Sequence, residues 1–412
     1  MKHTLFALLW LIAGYATTVH AQHFDEFFTD ATLRLDYTFA GDANHQAIYV
    51  DELSRSPHWY GRRHHLDSLP LAGNGRIIVS DKATGKVVYK HSFSTLFQEW
   101  LATDEAKRCS KSFENVFLIP FPRNKVNIHV ELNDYHNRVM AALDHEVDPT
   151  DILIRHTGER CLPYTTLHPA ADSTRCINIA FVAEGYQADE MPHFLADAEK
   201  ATRALFAHRP FSEMSDRFNI IAVKSVSEDK GTSIPHKNIW LNTAIRSHFD
   251  TFYSNRYLTT LHLKQLHNLL TGLPYEHIIV LVNTAEYGGG GIYNSYNLSY
   301  TQGTAFEPVV VHEFGHSFGG LGDEYAYGDS DPMYFSTTEP WEPNITTLCD
   351  FTKKWQNLID EGKASLVEGG GYLTKGVYRG ADNCRMRTNE EKEFCAVCRQ
   401  ALTRLILFYT EE

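Results

Sequence analysis

Apolar residues follow two different rhythms along this chain, and the rhythm changes near residue 175. Before about residue 147 they alternate. Thr32-Leu-Arg-Leu-Asp-Tyr-Thr-Phe39 has the period of two that belongs to a half-buried strand. Gly75-Arg-Ile-Ile-Val-Ser80 and Lys86-Val-Val-Tyr-Lys90 flank Asp81-Lys-Ala-Thr-Gly85, which predicts a hairpin with a short glycine-containing turn. Residues 115–120 and 125–131 predict a second strand pair, joined across Phe121-Pro-Arg-Asn124. Strands so short and so closely spaced predict a β-sandwich over residues 22–148. The dense pair His64-His65 reads as part of a solvated loop.

A polar stretch with Pro149, Pro163 and Pro169 follows and predicts a linker over residues 149–173. Strands and helices then alternate over residues 174–412. Ile177-Asn-Ile-Ala-Phe-Val-Ala183, residues 218–226 and His277-Ile-Ile-Val-Leu-Val-Asn283 predict strands. Helices are predicted at about residues 189–208, where Phe194, Leu195, Ala198, Ala201 and Leu205 share a face, and at 261–270. Residues 394–408 predict an amphipathic closing helix. The run Gly288-Gly-Gly-Gly-Ile292 lacks the Lys-Ser/Thr of a phosphate loop, and predicts a rim beside an edge strand that a peptide could approach closely. The fold class expected is α+β.

One helix carries the chemistry. Pro308 suits its first position, Gly319 and Gly320 suit its end, and Phe306, Val309, Val310, Phe314 and Phe318 supply apolar surface. Within it His312, Glu313 and His316 form the pattern HExxH. Residues i and i+4 share a helical face, so both imidazoles can reach one metal ion, with Glu313 placed to polarise a water. The pattern alone is short enough to arise by chance; the capped apolar helix, Gly319 and the acidic pair Asp323-Glu324 make it a zinc site. A catalytic zinc takes a third protein ligand. In the pattern HExxHxxGxxH the third ligand stands ten residues after the first His, but that position here is Gly322. Asp323, one residue on, is the nearest oxygen ligand, and Glu324 is the alternative.

Composition narrows the field without adding chemistry. The chain has 412 residues, enough for two domains, with 43% hydrophobic and 22% charged residues, the balance of a globular protein. A formal net charge of −13 argues against nucleic acid as a partner. Residues 1–21 read as a signal peptide: Lys2 and His3, an apolar run from Leu5 to Ala13, and Val19-His-Ala21 before Gln22. Export, whether to a secreted, periplasmic or cell-surface place, is the expectation, with no other stretch of membrane-spanning length. Of the seven cysteines, Cys349 or Cys384 could bridge to Cys395 or Cys398 in an oxidising compartment. A zinc at Cys395-x-x-Cys398 plus Cys384 lacks a matching second pair.

The run His312-Glu-Phe-Gly-His-Ser-Phe-Gly-Gly-Leu-Gly-Asp-Glu-Tyr325 resembles the signature of the bacterial IgA-peptidase-type zinc metallopeptidases. Asn383-Cys-Arg-Met-Arg-Thr388, Phe394-Cys-Ala-Val-Cys398 and Asn178-Ile-Ala-Phe-Val-Ala-Glu-Gly-Tyr186 are also similar to that family. The likeness implies a metzincin-like zincin α/β catalytic domain behind an N-terminal β-sandwich. It implies Zn²⁺ on His312, His316 and Asp323, Glu313 as general base, and Met386 beneath the metal as the turn methionine. The function expected is a secreted endopeptidase acting on extracellular protein, host glycoprotein or immunoglobulin among the options. Tyr325 is a candidate oxyanion donor or else a buried aromatic. An aminopeptidase-type exopeptidase and an inactive glycoprotein-binding adhesin are the alternatives.

Overall fold

The computed structural model describes residues 24–328 and 333–412. The leader-like residues 1–21 and Pro332, in the loop-rich stretch after the motif, lie outside the described residues. The N-terminal half is built from β1 (Phe28–Gly41), β2 (Gln46–Pro57), β3 (Gly75–Asp81), β4 (Val87–Phe93), β5 (Lys111–Pro122), β6 (Val126–Asn133) and β7 (Val139–Val147). With the short β8 (Arg155–His156) they form two sheets, ordered β5-β1-β2-β8 and β4-β3-β6-β7. Alternation does what it predicts: β3 buries Ile77 and Val79, while the residues between them are half-exposed. Phe93 of β4 and Phe117 of β5 meet between the sheets with ring centroids 4.4 Å apart, and Phe39 of β1 joins them.

The hairpin expected across residues 121–124 does not form. β5 pairs only with β1, and β6 lies in the other sheet between β3 and β7. Pro120 and Pro122 lack N–H donors, which confines β5 to a sheet edge. The chain therefore crosses between layers at Arg123, whose N–H donates to the Phe27 carbonyl (2.8 Å).

The polar stretch 149–173 gives one short strand to each half, β8 beside β2 and β9 (Tyr164–His168) beside β11 (Phe218–Val223). The second half is organised on one sheet. Its remaining strands are β10 (Ile177–Glu184), β12 (His277–Val282), β13 (Gly289–Ile292) and β14 (Tyr296–Tyr300), and the order is β13-β14-β12-β10-β11-β9. The four central strands run parallel, and β13 and β9 close the edges antiparallel. β10 and β12 are buried along their whole length, which is why they read as unbroken apolar runs.

Each face of that sheet has its own cover. Ile177, Ile179, Phe181 and Ala183 pack against the helices Met191–Phe206, Phe306–Ser317 and Ala396–Thr410. The residues between them, Ala180 and Val182, join Val223, Val280 and Val282 in a core shared with both N-terminal sheets and the helix Leu263–Leu270. The two halves thus meet through apolar side chains. No helix among the described residues is long and apolar enough to cross a membrane.

Two histidines in these cores make stability depend on pH. His277, which opens β12, sits between Phe318 and Tyr409 at 5.0 and 5.6 Å, and burial pulls its pKa down to about 3. His267, bonded through Nδ1 to the Tyr275 hydroxyl (2.8 Å), is pushed well down by burial and then by Arg34. Both are neutral in the fold, whereas an unfolded histidine takes up a proton near pH 6.5. Their contribution is therefore intact above that value and is lost as pH falls below it. Each costs about 1.4 kcal/mol one unit lower. A His277→Gln variant should lose Tm less steeply than the parent between about pH 6.5 and 5. Parallel slopes for parent and variant would rule His277 out.

Candidate metal centre

The helix Phe306–Ser317 turns Phe306, Val310 and Phe314 toward the sheet and His312, Glu313 and His316 toward a cleft. Pro308 is its third residue rather than its first, still within the turn whose N–H groups lack helical partners. Beyond Ser317 the chain reverses tightly. Gly320 has φ +57°, and the N–H groups of Gly320 and Leu321 return to the carbonyls of His316 (3.0 Å) and Gly315 (3.1 Å).

That reversal carries Asp323 back to the helix. His312 Nε2 and His316 Nε2 are 3.0 Å apart, and Asp323 Oδ1 lies 3.2 Å from the first and 3.3 Å from the second. His312 Nδ1 faces the Arg385 carbonyl at 3.1 Å and His316 Nδ1 the Leu321 carbonyl at 2.5 Å. A carbonyl can only accept, so both Nδ1 atoms are the protonated ones and both Nε2 lone pairs point inward. Asp323 Oδ1 is buried and, among the described residues, has no hydrogen-bond donor apart from these rings. Three lone-pair atoms this close repel unless a cation or a proton lies among them. A tetrahedral ion with bonds of about 2.0–2.1 Å places its ligand atoms about 3.3 Å apart, so this donor set fits a divalent metal. Without an ion the site holds a proton instead. Burial lowers His316, but the Asp323 charge outweighs it and raises the imidazole to about 9. Burial would lift Asp323, yet His316 and His312 bring it far below the usual carboxylate range.

The extra residue at Gly322 is accommodated by a side chain. Asn344 accepts from the Gly322 N–H (2.7 Å) through Oδ1 and donates to its carbonyl (2.8 Å) through Nδ2, as a neighbouring strand would. Tyr372 then fixes the carboxylate, donating to Asp323 Oδ2 at 2.5 Å. Glu324, the alternative ligand, points elsewhere: Oε1 accepts from Asn344 Nδ2 (3.0 Å) and from the Cys398 thiol (3.1 Å). Tyr325 hydrogen-bonds with Tyr372 and Asp323, and their ring centroids are 5.3 Å apart. Met386 is fully buried beneath the helix. A Cβ added at Gly315 would stand 2.6 Å from its sulfur, and its carbonyl accepts the Glu324 N–H (2.9 Å).

Glu313 faces the cleft with its carboxyl pushed up by burial, partly offset by the two imidazoles. The glycine run beside it forms most of the edge strand β13, lines the cleft, and packs against the protein's own helix. A Cβ at Gly289 would lie 2.5 Å from Glu313 Oε1, and one at Gly291 would lie 2.6 Å from the Glu313 carbonyl and 3.0 Å from His316 Cβ. The other side of the strand is partly covered, since Leu258 N–H donates to the Gly289 carbonyl (3.1 Å). Glycine is required here because strand and helix touch backbone to backbone.

The cleft encloses about 810 Å³ and draws on both halves of the chain. Thr95, Glu99 and Tyr135 come from the N-terminal half, and Tyr257, Tyr334, Trp341, Tyr372 and Arg387 from the rest. Burial raises Glu99 to about 7, and the Tyr257 hydroxyl donates to it. Apart from Arg387, which lies in the run 383–388, none of these residues sits in a motif, and no local spacing marks them. Asn344 and Tyr372 were equally invisible, since their roles depend on a turn 20–50 residues away.

Gly291 provides the sharpest check of this packing. Its Cβ would strike backbone, whereas one at Gly289 meets a carboxylate that can rotate. Gly291→Ala should lower kcat/KM for peptide cleavage roughly 10²-fold by displacing the helix, with Gly289→Ala milder. Parental kcat/KM in Gly291→Ala would contradict the contact.

Comparison with known families places the chain in one of them. The chain matches the family described as IgA Peptidase M64 over residues 165–366 and 363–406. The described partner of that family, Peptidase M64 N-terminus, matches over residues 23–144. No curated protein matches the chain. The first match takes in every residue that converges on Asp323 and the second the strands β1 to β6, so this chain is a member of the IgA peptidase M64 family and a metallopeptidase.

Proposed function

We propose that the protein is a zinc-dependent endopeptidase, exported, that hydrolyses extracellular peptides or proteins. The observation that carries this reading is the approach of His312 Nε2, His316 Nε2 and Asp323 Oδ1 to within 3.3 Å of one another beside a cleft-facing Glu313. Two nitrogens and one carboxylate oxygen, with room on the cleft side for a further ligand, suit a catalytic rather than a closed structural zinc. Held there by His312, His316 and Asp323, the ion would supply Lewis acidity toward water and the scissile carbonyl.

The remaining steps belong to the chain. Glu313 is poised to take a proton from the attacking water and to return it to the departing amine. Burial assists by raising its carboxyl toward the working pH, so that a proton taken can also be given back. The supporting bonds from the Arg385 and Leu321 carbonyls keep both imidazoles in one tautomer while this happens. Tyr325 remains a candidate donor to the oxyanion. Its hydroxyl is engaged with Asp323 and Tyr372, so donation to substrate would require it to exchange partners. The arrangement of the helix, the returning Asp323 and Met386 beneath supports a metzincin-like reading of this domain. The many tyrosines of the cleft, with a half-raised Glu99, suit a peptide held by its backbone and by aromatic contact.

Export rests on the leader-like residues 1–21, and an intact mass that begins at Gln22 would support it. A chain that keeps those residues inside the cell would contradict it. For the activity, Glu313→Gln should lower cleavage of a peptide blocked at both ends roughly 10²–10⁴-fold while zinc content stays unchanged. Undiminished cleavage by Glu313→Gln would remove the general-base role. Cleavage confined to peptides with a free amino terminus would turn the reading to an aminopeptidase.

A further inference from the structure

Beneath the cleft, on the far side of Asp323, four metal-ligating side chains from three separate segments converge. Glu324 follows the turn, Cys384 precedes Met386, and Cys395 and Cys398 open the closing helix, Cys395 as its N-cap. Their ligand atoms all lie within 4.8 Å of one another. We propose that Glu324, Cys384, Cys395 and Cys398 form a second, structural metal site, taking a zinc-class divalent cation, that anchors the catalytic centre from below.

The distances separate a metal site from a disulfide. Cys384 Sγ and Cys398 Sγ are 3.7 Å apart, whereas a disulfide bond is about 2.05 Å long. A tetrahedral zinc with Zn–S bonds of about 2.3 Å holds its sulfurs about 3.8 Å apart. Glu324 Oε1 stands 3.1 Å from Cys398 Sγ and 3.9 Å from Cys395 Sγ, which brackets the oxygen–sulfur edge of the same tetrahedron. The Cys395 N–H donates to Cys384 Sγ at 3.2 Å, the kind of bond that supports a thiolate ligand. All seven cysteines are unpaired among the described residues; Cys349, one expected bridging partner, is exposed, whereas Cys384, Cys395 and Cys398 are buried. Three thiols cannot in any case be used up by pairing among themselves.

Glu324 supplies the independent sign. It is fully buried, its Oε2 has no partner among the described residues, and it stands among thiols rather than beside a base. A carboxyl buried there is neutralised by a proton or by a cation, and the three thiols gathered around it are ligands for a cation. Three thiolates, a carboxylate and a divalent ion leave a residual negative charge, and two buried guanidinium groups are there to offset it. Arg379 interacts electrostatically with Glu324 and Arg385 with Cys384, and neither makes an ion pair with a carboxylate among the described residues.

The site's purpose follows from its neighbours in the chain. Glu324 is bonded to Asp323 and donates its N–H to the Met386 carbonyl (2.9 Å). Cys384 precedes Arg385, whose carbonyl orients His312. One buried ion would therefore fix the Asp323 turn, the Met386 segment and the support of His312 at once.

The test uses the full chain with the first centre removed. A His312→Ala/His316→Ala double variant, purified and analysed by elemental mass spectrometry, should retain one zinc per chain where the parent holds two. Reconstituted with Co²⁺, it should show intense thiolate-to-cobalt charge transfer and the strong visible bands of a tetrahedral ion. A mercurial should release the ion as it titrates thiols. Adding Cys398→Ser should abolish the cobalt spectrum; because that change could unfold the chain, the double variant carries the decision. A folded double variant that binds neither zinc nor cobalt, or a disulfide joining any two of Cys384, Cys395 and Cys398 in the unreduced parent, would overturn the proposal. None of these readouts depends on peptidase activity, so a failure of the endopeptidase reading would leave them unmoved.

Discussion

Holding the Asp323 carboxylate oxygen against two imidazole nitrogens at 3.2 and 3.3 Å is the demand on which the rest of this structure turns. Such atoms do not come together unaided, because each loses water and gains only lone-pair repulsion in return. The chain meets the demand with bonds of its own. Carbonyls of Arg385 and Leu321 fix the rings, Tyr372 holds the second carboxylate oxygen, and Asn344 clamps Gly322 on both its backbone groups. Asn344 thus holds in place the one residue by which this turn exceeds the HExxHxxGxxH spacing.

The same demand explains features that look unrelated. Two of the four successive glycines, Gly289 and Gly291, let β13 lie against Glu313 and His316, and at Gly291 a side chain would strike the helix backbone. The sheet beneath is buried on both faces, which makes the platform stiff, and its second face is covered by the N-terminal sheets. That half therefore does more than precede the catalytic one. It completes the core under the sheet and lends Glu99 and Tyr135 to the cleft.

How much of this could be read beforehand depended on how local each feature was. His312, Glu313 and His316 were legible because helical spacing alone puts them on one face, and β10 and β12 because a strand buried on both sides is apolar throughout. Asp323 could be preferred over Glu324 on distance along the chain, and the structure brings Asp323, not Glu324, to the imidazoles. What could not be read was pairing at a distance. β5 and β6 are adjacent in sequence but belong to different sheets, a choice in which two prolines outweighed proximity. The cysteines lacked a fourth ligand only while thiols alone were counted. Glu324, 60 residues before the nearest of them, could not be connected to them without the fold.

Anomalous diffraction at the zinc edge, from crystals of the parent chain grown with zinc, addresses the central claim directly. The account predicts a peak bonded at about 2.0–2.2 Å to His312 Nε2, His316 Nε2 and Asp323 Oδ1, with Glu313 beside it in the cleft. A peak whose third protein ligand is Glu324, or no peak between the two imidazoles in a folded and active enzyme, would contradict it.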